Sequence, residues 1–280
     1  MQPEPEDKTM TTASQPVAVV TGGARGIGEA VVREFAAQGY GVAVLDVLTE
    51  RAQALAQELR QKGVRALALD CDVSDHQAVV GAAQAVVQAL GPATALVTCA
   101  ALIPNSESIL EMDLEAHDRM WRVNYHGTVH ACRVFAQQMI EAGQGGAIVT
   151  LGSINTAQPM PLPAYNPGKV AIARLTQLLA AEVGRHRIRV NCVGPSYVMT
   201  PELQARIDSG QRDLSKMMRV HALDTLPTPA DVAQAIAFLC SAQARTITGA
   251  FLPVDSGFIA SATYMTYSGG VPWDRKGTQA

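Results

Sequence analysis

The stretch "VVTGGARGIGEA", residues 19–30, decides how this chain folds. A short Val-rich run breaks at Gly22. After Gly26 and Gly28 the pattern reopens as an Ala- and Glu-bearing segment. That is a strand, a tight turn and a helix in immediate succession. Glycines in such a turn let the backbone bend sharply and approach a pyrophosphate. The helix N-terminus then offers unpaired N–H groups and a partial positive charge. Glycine-rich turns are common by themselves. Here a strand precedes the turn, a helix follows it, and an acid, Asp46, closes the next strand. A carboxylate there accepts hydrogen bonds from an adenosine ribose and repels a 2′-phosphate. Charge repulsion therefore selects NAD. Arg25, beside Gly26, pulls the other way, because its guanidinium can reach toward a 2′-phosphate. No other Arg or Lys follows Asp46 until Arg51.

Outward from this unit the chain alternates. "VAVVTG" (17–22), "GVAVLD" (41–46), "VRALALD" (64–70), "ATALVTC" (93–99), "GAIVTLG" (146–152), "IRVNCVG" (188–194) and the shorter "AFLPVD" (250–255) read as strands. They are apolar on both faces, as parallel strands covered on both sides are. Helices are predicted near 27–38, 49–62, 75–89, 113–142, 166–184 and 229–240. Ser74 with Gln77 reads as a capping box. Thr228 reads as an N-cap, with Pro229 at the first helical position and Asp231 in the first turn. The alternation implies an α/β fold of Rossmann type: a single domain with a doubly wound parallel sheet of about seven strands and helices on both faces. In such sheets the ligand lies beyond the carboxyl ends of the strands.

Three segments fall outside the alternation. Residues 1–14 are acidic and Pro-rich and read as a disordered tail. Residues 195–228, long for a connection, read as a substrate lid. Residues 261–280 form a C-terminal extension bearing Tyr264, Met265, Tyr267 and Trp273. Part of it is expected to pack over its own pocket or a neighbouring subunit's. The catalytic domain then spans 15–260.

Composition excludes several classes. The chain has 280 residues, 48% hydrophobic and 17% charged, ample for a sizeable core. Its net charge of −3, without a long basic run, lacks the footprint of a nucleic-acid binder. No run of ~18 apolar residues predicts a transmembrane helix. The first residues contain no apolar segment of the kind a secretory signal needs. Cys71, Cys99, Cys132, Cys192 and Cys240 are odd in number and never spaced as CxxC. They read as reduced thiols of a cytoplasmic protein. His126 and His130 share a helix face without an evident third ligand, so no metal site is expected. Asp113, Glu115 and Asp118 suit a helix dipole and need no catalytic role.

"AYNPGKVA" (164–171) holds Tyr165 and Lys169 four positions apart, one helix face if the segment is helical. Between them stand Pro167 and Gly168, the poorest helix formers. With Ala164 near the N-cap, Pro167 falls in the first turn, where a missing N–H breaks no intrahelical bond. A tyrosine at a helix start is ordinarily a packing residue, and a serine after a strand ordinarily a cap. Their order is what suggests chemistry. Ser153 and Tyr165 flank one loop after a strand, and Lys169 lies one turn further in.

"TGGARGIG" has TGxxxGxG spacing and "YNPGK" is YxxxK. Together they resemble the short-chain dehydrogenase/reductase (SDR) family. Further marks follow in order: "CDV" (71–73), "VNYHG" (123–127), "VTLGS" (149–153), "RVNCVGPSYVMTP" (189–201) and "PVDSG" (253–257). The resemblance covers about residues 15–258. It implies an oxidoreductase moving hydride between a secondary alcohol and its ketone, with NAD as cofactor. Tyr165 would be the acid/base and Lys169 its partner, which also holds the nicotinamide ribose. Ser153 would hydrogen-bond the substrate oxygen, and Asn124 would anchor a water that relays protons from Lys169. A phenol is a weak base at neutral pH, and an ammonium beside it stabilises the phenolate. The implied cofactor contacts are Gly22, Arg25, Gly26, Ile27, Gly28, Asp46, Val47, Asp72, Val73, Cys99, Ala100, Tyr165, Lys169, Pro195, Val198 and Thr200. Val198 and Thr200 would orient the carboxamide. A homotetramer built on the helices near 113–142 and 166–184 is also implied.

Three departures stand out. The usual NNAG turn is "TCAA", Thr98 to Ala101. Ser196 replaces a glycine after Pro195. The loop between Ser153 and Tyr165 is one residue tighter than is commonest. Leu102, Ile103, residues 154–160, Ser196, Tyr197 and residues 200–222 are expected to line the pocket. That mix suits a small secondary alcohol or ketone, cyclic or polyhydroxylated. Two other readings stay open: an NADPH-linked ketone reductase, resting on Arg25, and a non-catalytic dinucleotide-binding protein, resting on the altered turn.

Overall fold

Short Val- and Ala-rich segments, unable to form long helices and apolar on both sides, assemble into one sheet in the computed structural model, which describes residues 15–103 and 106–268. The strands are β1 (Val17–Thr21), β2 (Gly41–Asp46), β3 (Ala66–Asp70), β4 (Ala95–Thr98), β5 (Gly146–Leu151), β6 (Ile188–Pro195) and β7 (Phe251–Val254). The sheet has 7 strands in the order β3-β2-β1-β4-β5-β6-β7, all paired in parallel. Strand order reverses between β1 and β4, which opens a crevice at their carboxyl ends.

Helices cover both faces. On one side α1 (Gly26–Ala37), α2 (Thr49–Gln61) and α9 (Pro229–Cys240) bury Val31, Phe35, Leu55 and Ile236 against Val20, Val44 and Val97. On the other, α3 (His76–Leu90), α5 (Gly127–Ala142) and α6 (Tyr165–Val183) bury Val79, Phe135 and Val183 against Val19, Leu96 and Ile148. Alternate strand residues feed the two cores, which is why the strand sequences are apolar throughout. The remaining helices are α4 (Leu114–Trp121), α7 (Pro201–Asp208), α8 (Leu214–Arg219) and α10 (Phe258–Met265). No helix among the described residues is long and apolar enough to cross a membrane.

Local signals mostly hold. Thr228 caps α9 in a reciprocal box with Asp231, and Asp113 caps α4 by accepting from Glu115 and Ala116 N–H. The box expected of Ser74 and Gln77 does not form. Asp75 is the N-cap of α3 and accepts from Gln77 N–H at 2.8 Å, while the Ser74 hydroxyl donates to Asp72 at 2.7 Å. A carboxylate one residue nearer the helix is the stronger acceptor, and Ser74 is drawn back into the turn. The helix expected over 113–142 is interrupted by a π-helical turn, Arg122–His126. Just beyond it Gly127 packs so closely on the β3–α3 turn that a Cβ would lie 2.5 Å from Val73 Cγ2. The expectations for residues 1–14, and for the extension from 269 onward including Trp273, lie outside the described residues. The start of the extension is helical, as part of α10. Phe258 stacks edge-on with Tyr197 and His221, and the Ser261 hydroxyl donates to Val220 O.

Candidate active site

The cofactor-type residues converge at the crevice. The glycine turn leaves β1 with Gly22 at φ +64° and Gly26 at φ +57°, values an L side chain resists. A Cβ on Gly22 would lie 2.5 Å from Ala100 Cα, and one on Gly28 would lie 2.0 Å from Gly22 O. The turn is therefore folded tightly on itself and on the turn after β4. At Gly26 the space is open, with Thr200 Cγ2 nearest at 3.7 Å from a built Cβ. Helix α1 begins without a side-chain cap, Arg25 being its N-cap residue. Its first N–H groups are thus left without a side-chain acceptor at the end of the glycine turn, the donor set a pyrophosphate needs. A dinucleotide fits this donor set.

Asp46, 8% exposed at the end of β2, braces both adjoining turns. One carboxylate oxygen accepts from Ala24 N–H and the other from Leu48 N–H, each at 2.9 Å. Val47 beside it is largely exposed and Ile27 half-buried. Asp72 accepts from Ser74 at the crevice rim, and Val73 is buried with its carbonyl against His130 Nδ1 at 2.9 Å. The "TCAA" turn keeps its anchorage without asparagines. Cys99 N–H donates to Thr21 O at 3.0 Å, and Leu102 exchanges both backbone bonds with the Asn124 side chain, at 2.8 and 2.9 Å. Burial pushes the Cys99 thiol up to about 12, against a smaller opposing pull from Lys169, so it is no thiolate at neutral pH. All five cysteines are free thiols.

Tyr165 opens α6, with Ala164 as its N-cap. Pro167 costs no hydrogen bond there, because the donors of a first turn have no intrahelical acceptors. Lys169, one turn on and 3% exposed, donates to Leu151 O at 2.6 Å, and its ammonium lies 5.2 Å from the Tyr165 ring centroid. Among the described residues no carboxylate pairs with it. Ser153 follows β5, buried, and its Oγ accepts from Asn155 N–H and Nδ2 at 3.2 and 3.0 Å. The Asn124 side-chain amide is spent on Leu102, and the Asn124 backbone carbonyl accepts from the Thr128 hydroxyl at 2.7 Å. Asn124, Ser153, Tyr165 and Lys169 therefore sit on the carboxyl-end side of β4 and β5, beside the crevice.

Pro195 ends β6, Val198 is buried, and Thr200 caps α7 by accepting from Leu203 N–H at 3.2 Å. Sequence reading missed several partners here. His221 is fully buried, with Nδ1 2.7 Å from Met217 O and Nε2 2.9 Å from Ser196 Oγ. A carbonyl only accepts, so Nδ1 carries the proton and Nε2 accepts from the Ser196 hydroxyl. Burial lowers the affinity of this imidazole for a second proton. The extra hydroxyl at Ser196 is thus tied back to the segment between α8 and α9. Arg25 pairs with Glu202 of α7 at 3.3 Å. The hydrogen bonds of Asn155 and Asn166 were also missed, although Asn166 stands inside "YNPGK" and Asn155 within the expected pocket lining, because spacing alone does not give side-chain orientation. No cluster of three or more His, Cys, Asp or Glu side chains among the described residues could hold a metal ion.

The family profile described as enoyl-(acyl carrier protein) reductase matches residues 22–259. Galactitol 2-dehydrogenase of Rhizobium johnstonii is 36% identical over 249 residues, covering 86% of this chain and 94% of that protein. The short-chain reductase protein NovJ of Streptomyces niveus is 33% identical over 260 residues, covering 90% and 98%. A solved 3-ketoacyl-(acyl-carrier-protein) reductase from Brucella melitensis, complexed with NADH, superposes with a TM-score of 0.80 at 30% identity, over 88% of this chain and 99% of that one. With its parallel sheet, its uncapped glycine turn at the reversal of strand order and relatives matched over nearly their whole length, this chain belongs to the short-chain dehydrogenase/reductase family of oxidoreductases.

Proposed function

We propose that the protein moves hydride between a secondary alcohol and its ketone, with NAD(H) as the cofactor and Tyr165 as the acid/base. The observation that carries this reading is Lys169: a buried ammonium 5.2 Å from the Tyr165 ring, held by a carbonyl and not by a carboxylate. When bound, the nicotinamide supplies or takes up the hydride. Tyr165 takes the alcohol proton in oxidation and returns it in reduction. Ser153 holds the substrate oxygen. Asn124, its side-chain amide bonded to the Leu102 backbone, would anchor the water that relays protons from Lys169. Gly22, Gly26, Ile27 and Gly28 would cradle the pyrophosphate. Asp46 and Val47 would take the adenosine ribose, Asp72 and Val73 the adenine, Cys99 and Ala100 the adjoining ribose, and Pro195, Val198 and Thr200 the carboxamide. The segment 195–228 serves as the substrate lid. Galactitol 2-dehydrogenase among the relatives supports a polyol or another small secondary alcohol as substrate. Spectrophotometric screening with NAD against alcohols, sugars and hydroxy acids tests the reading, and a panel without turnover would leave the non-catalytic alternative.

The choice of NAD over NADP rests on two charges. Asp46, read as the acid that takes the adenosine ribose, would repel a 2′-phosphate, and Arg25 is paired with Glu202. Like charges in one site cost several kcal/mol, so kcat/KM should favour NADH over NADPH at least about tenfold. Glu202→Gln releases Arg25. An exposed pair is worth at most about 1 kcal/mol, so NADPH use should rise by no more than about fivefold. Equal use of both cofactors by the unmodified protein would refute the assignment.

Val170 and Leu178 lie on one face of α6, exposed at 47% and 64%. They support a helix–helix contact between copies and hence a homotetramer. Light scattering that reads a monomer at micromolar concentration would rule it out.

A further inference from the structure

Ser153 and Asn155 are buried at 7% and 5% exposure, and the Ser153 oxygen receives two donors, Asn155 N–H at 3.2 Å and Asn155 Nδ2 at 3.0 Å. A hydroxyl oxygen has two lone pairs and one proton. With both lone pairs engaged, the proton is what remains, and it points away from Asn155.

The orientation of the amides follows from one backbone carbonyl. Gln158 O can only accept, so the Asn166 atom 3.1 Å from it is Nδ2. The same Nδ2 gives its second hydrogen to Asn155 at 3.1 Å, so the Asn155 atom facing it is Oδ1. Asn155 Nδ2 must then face Ser153. Both amide flips are fixed by chemistry, not by choice. Asn166 directly follows Tyr165, so the chain of bonds also ties Ser153 to the first turn of α6. A capping role alone does not account for it. Ser153 does cap the short turn Ile154–Thr156, but the cap uses the Asn155 backbone and leaves the Nδ2 bond unexplained.

We propose that Asn155 is a positioning residue that holds the Ser153 hydroxyl as an outward donor to the substrate oxygen, with Asn166 locking the Asn155 amide. This rests on the reading of Ser153 given above. Held so, Ser153 stabilises a carbonyl or alkoxide oxygen and cannot take the alcohol proton, which leaves that task to Tyr165.

Asn155→Asp keeps the size and the acceptor for Asn166 but has no hydrogen to give, so Ser153 must turn and donate inward. With an alcohol selected by the NAD screen, Ser153→Ala should lower kcat about a hundredfold. Asn155→Asp should lower it about tenfold, with KM within about twofold. NADH affinity, measured by fluorescence titration, should be unchanged. Added to Ser153→Ala, Asn155→Asp should cost nothing further, because the bond it acts through is already gone. Unchanged kcat in Asn155→Asp, or losses that multiply in the double variant, would overturn the inference while sparing the role of Ser153. Full activity in Ser153→Ala would overturn both. If Asn155→Asp does not fold, Asn166→Ala carries the same test: its smaller loss must likewise vanish in the Ser153→Ala background.

Discussion

Tyr165→Phe is expected to lower kcat by about a thousandfold or more while NADH still binds. The substitution removes one oxygen at the first turn of α6 and leaves the ring that faces Lys169. Positioned acid/base groups contribute roughly 10²–10⁴-fold, and a thousandfold loss corresponds to about 4 kcal/mol of barrier. No neighbour offers a substitute. Ser153 has both lone pairs filled by Asn155, His221 is tied to Met217 and Ser196, and Cys99 is held as a thiol by burial. The folded state should be little affected, because the ring packs as before. Steady-state kinetics with NAD and fluorescence titration with NADH separate the two effects. Turnover that survives the substitution would remove Tyr165 from the mechanism, and a parallel loss of NADH binding would point to a structural defect.

Gly28→Ala should cripple the cofactor turn, and Gly81→Ala should do the reverse elsewhere. Both glycines are helical, in α1 and α3, and intrinsic propensity favours alanine by about 1 kcal/mol at either. Surroundings decide the sign. At Gly81 an added Cβ meets nothing within 4 Å. At Gly28 it falls 2.0 Å from Gly22 O and 2.8 Å from Gly22 C, backbone atoms that cannot rotate away. Forcing extra atoms into a packed site costs about 1–3 kcal/mol, which outweighs the propensity gain. Relief requires the turn to shift, and with it the uncapped N–H groups of α1. The melting temperature of Gly28→Ala should fall by several degrees, with NADH affinity down at least about tenfold. Gly81→Ala should melt at or slightly above the parent temperature. A Gly28→Ala protein with normal affinity would show that the tight turn is not what holds the pyrophosphate.

How much of this was legible beforehand varies with how local the cause is. Seven strand segments, the helices between them and the turn at Gly22–Gly28 follow from short-range pattern, because a strand buried on both faces cannot be written without a continuous apolar run. The helix start at Tyr165 was equally readable, since Pro167 is tolerated only within a first turn. The Ser74/Gln77 cap failed for a local reason too. Two acceptors compete within two residues, and the carboxylate of Asp75 takes the helix end. The π-helical turn before Gly127 left no periodic trace, and the close approach just beyond it, Gly127 against Val73 of the β3–α3 turn, joins segments far apart in the chain.

The residues themselves determined the order of strands and helices and the chemistry available: a glycine turn with an acid on the next strand, and a phenol four positions from an amine. Each of these is encoded within a few residues. The tertiary structure alone decided how the groups are used. Arg25 meets Glu202 across 177 positions, and Ser196 meets His221 across 25. The Asn166–Asn155–Ser153 chain exists only because one loop folds back on itself. Hydrogen bonds between side chains depend on orientation within a few tenths of an ångström, which no spacing in the chain specifies until the sheet and its helices have brought those segments together.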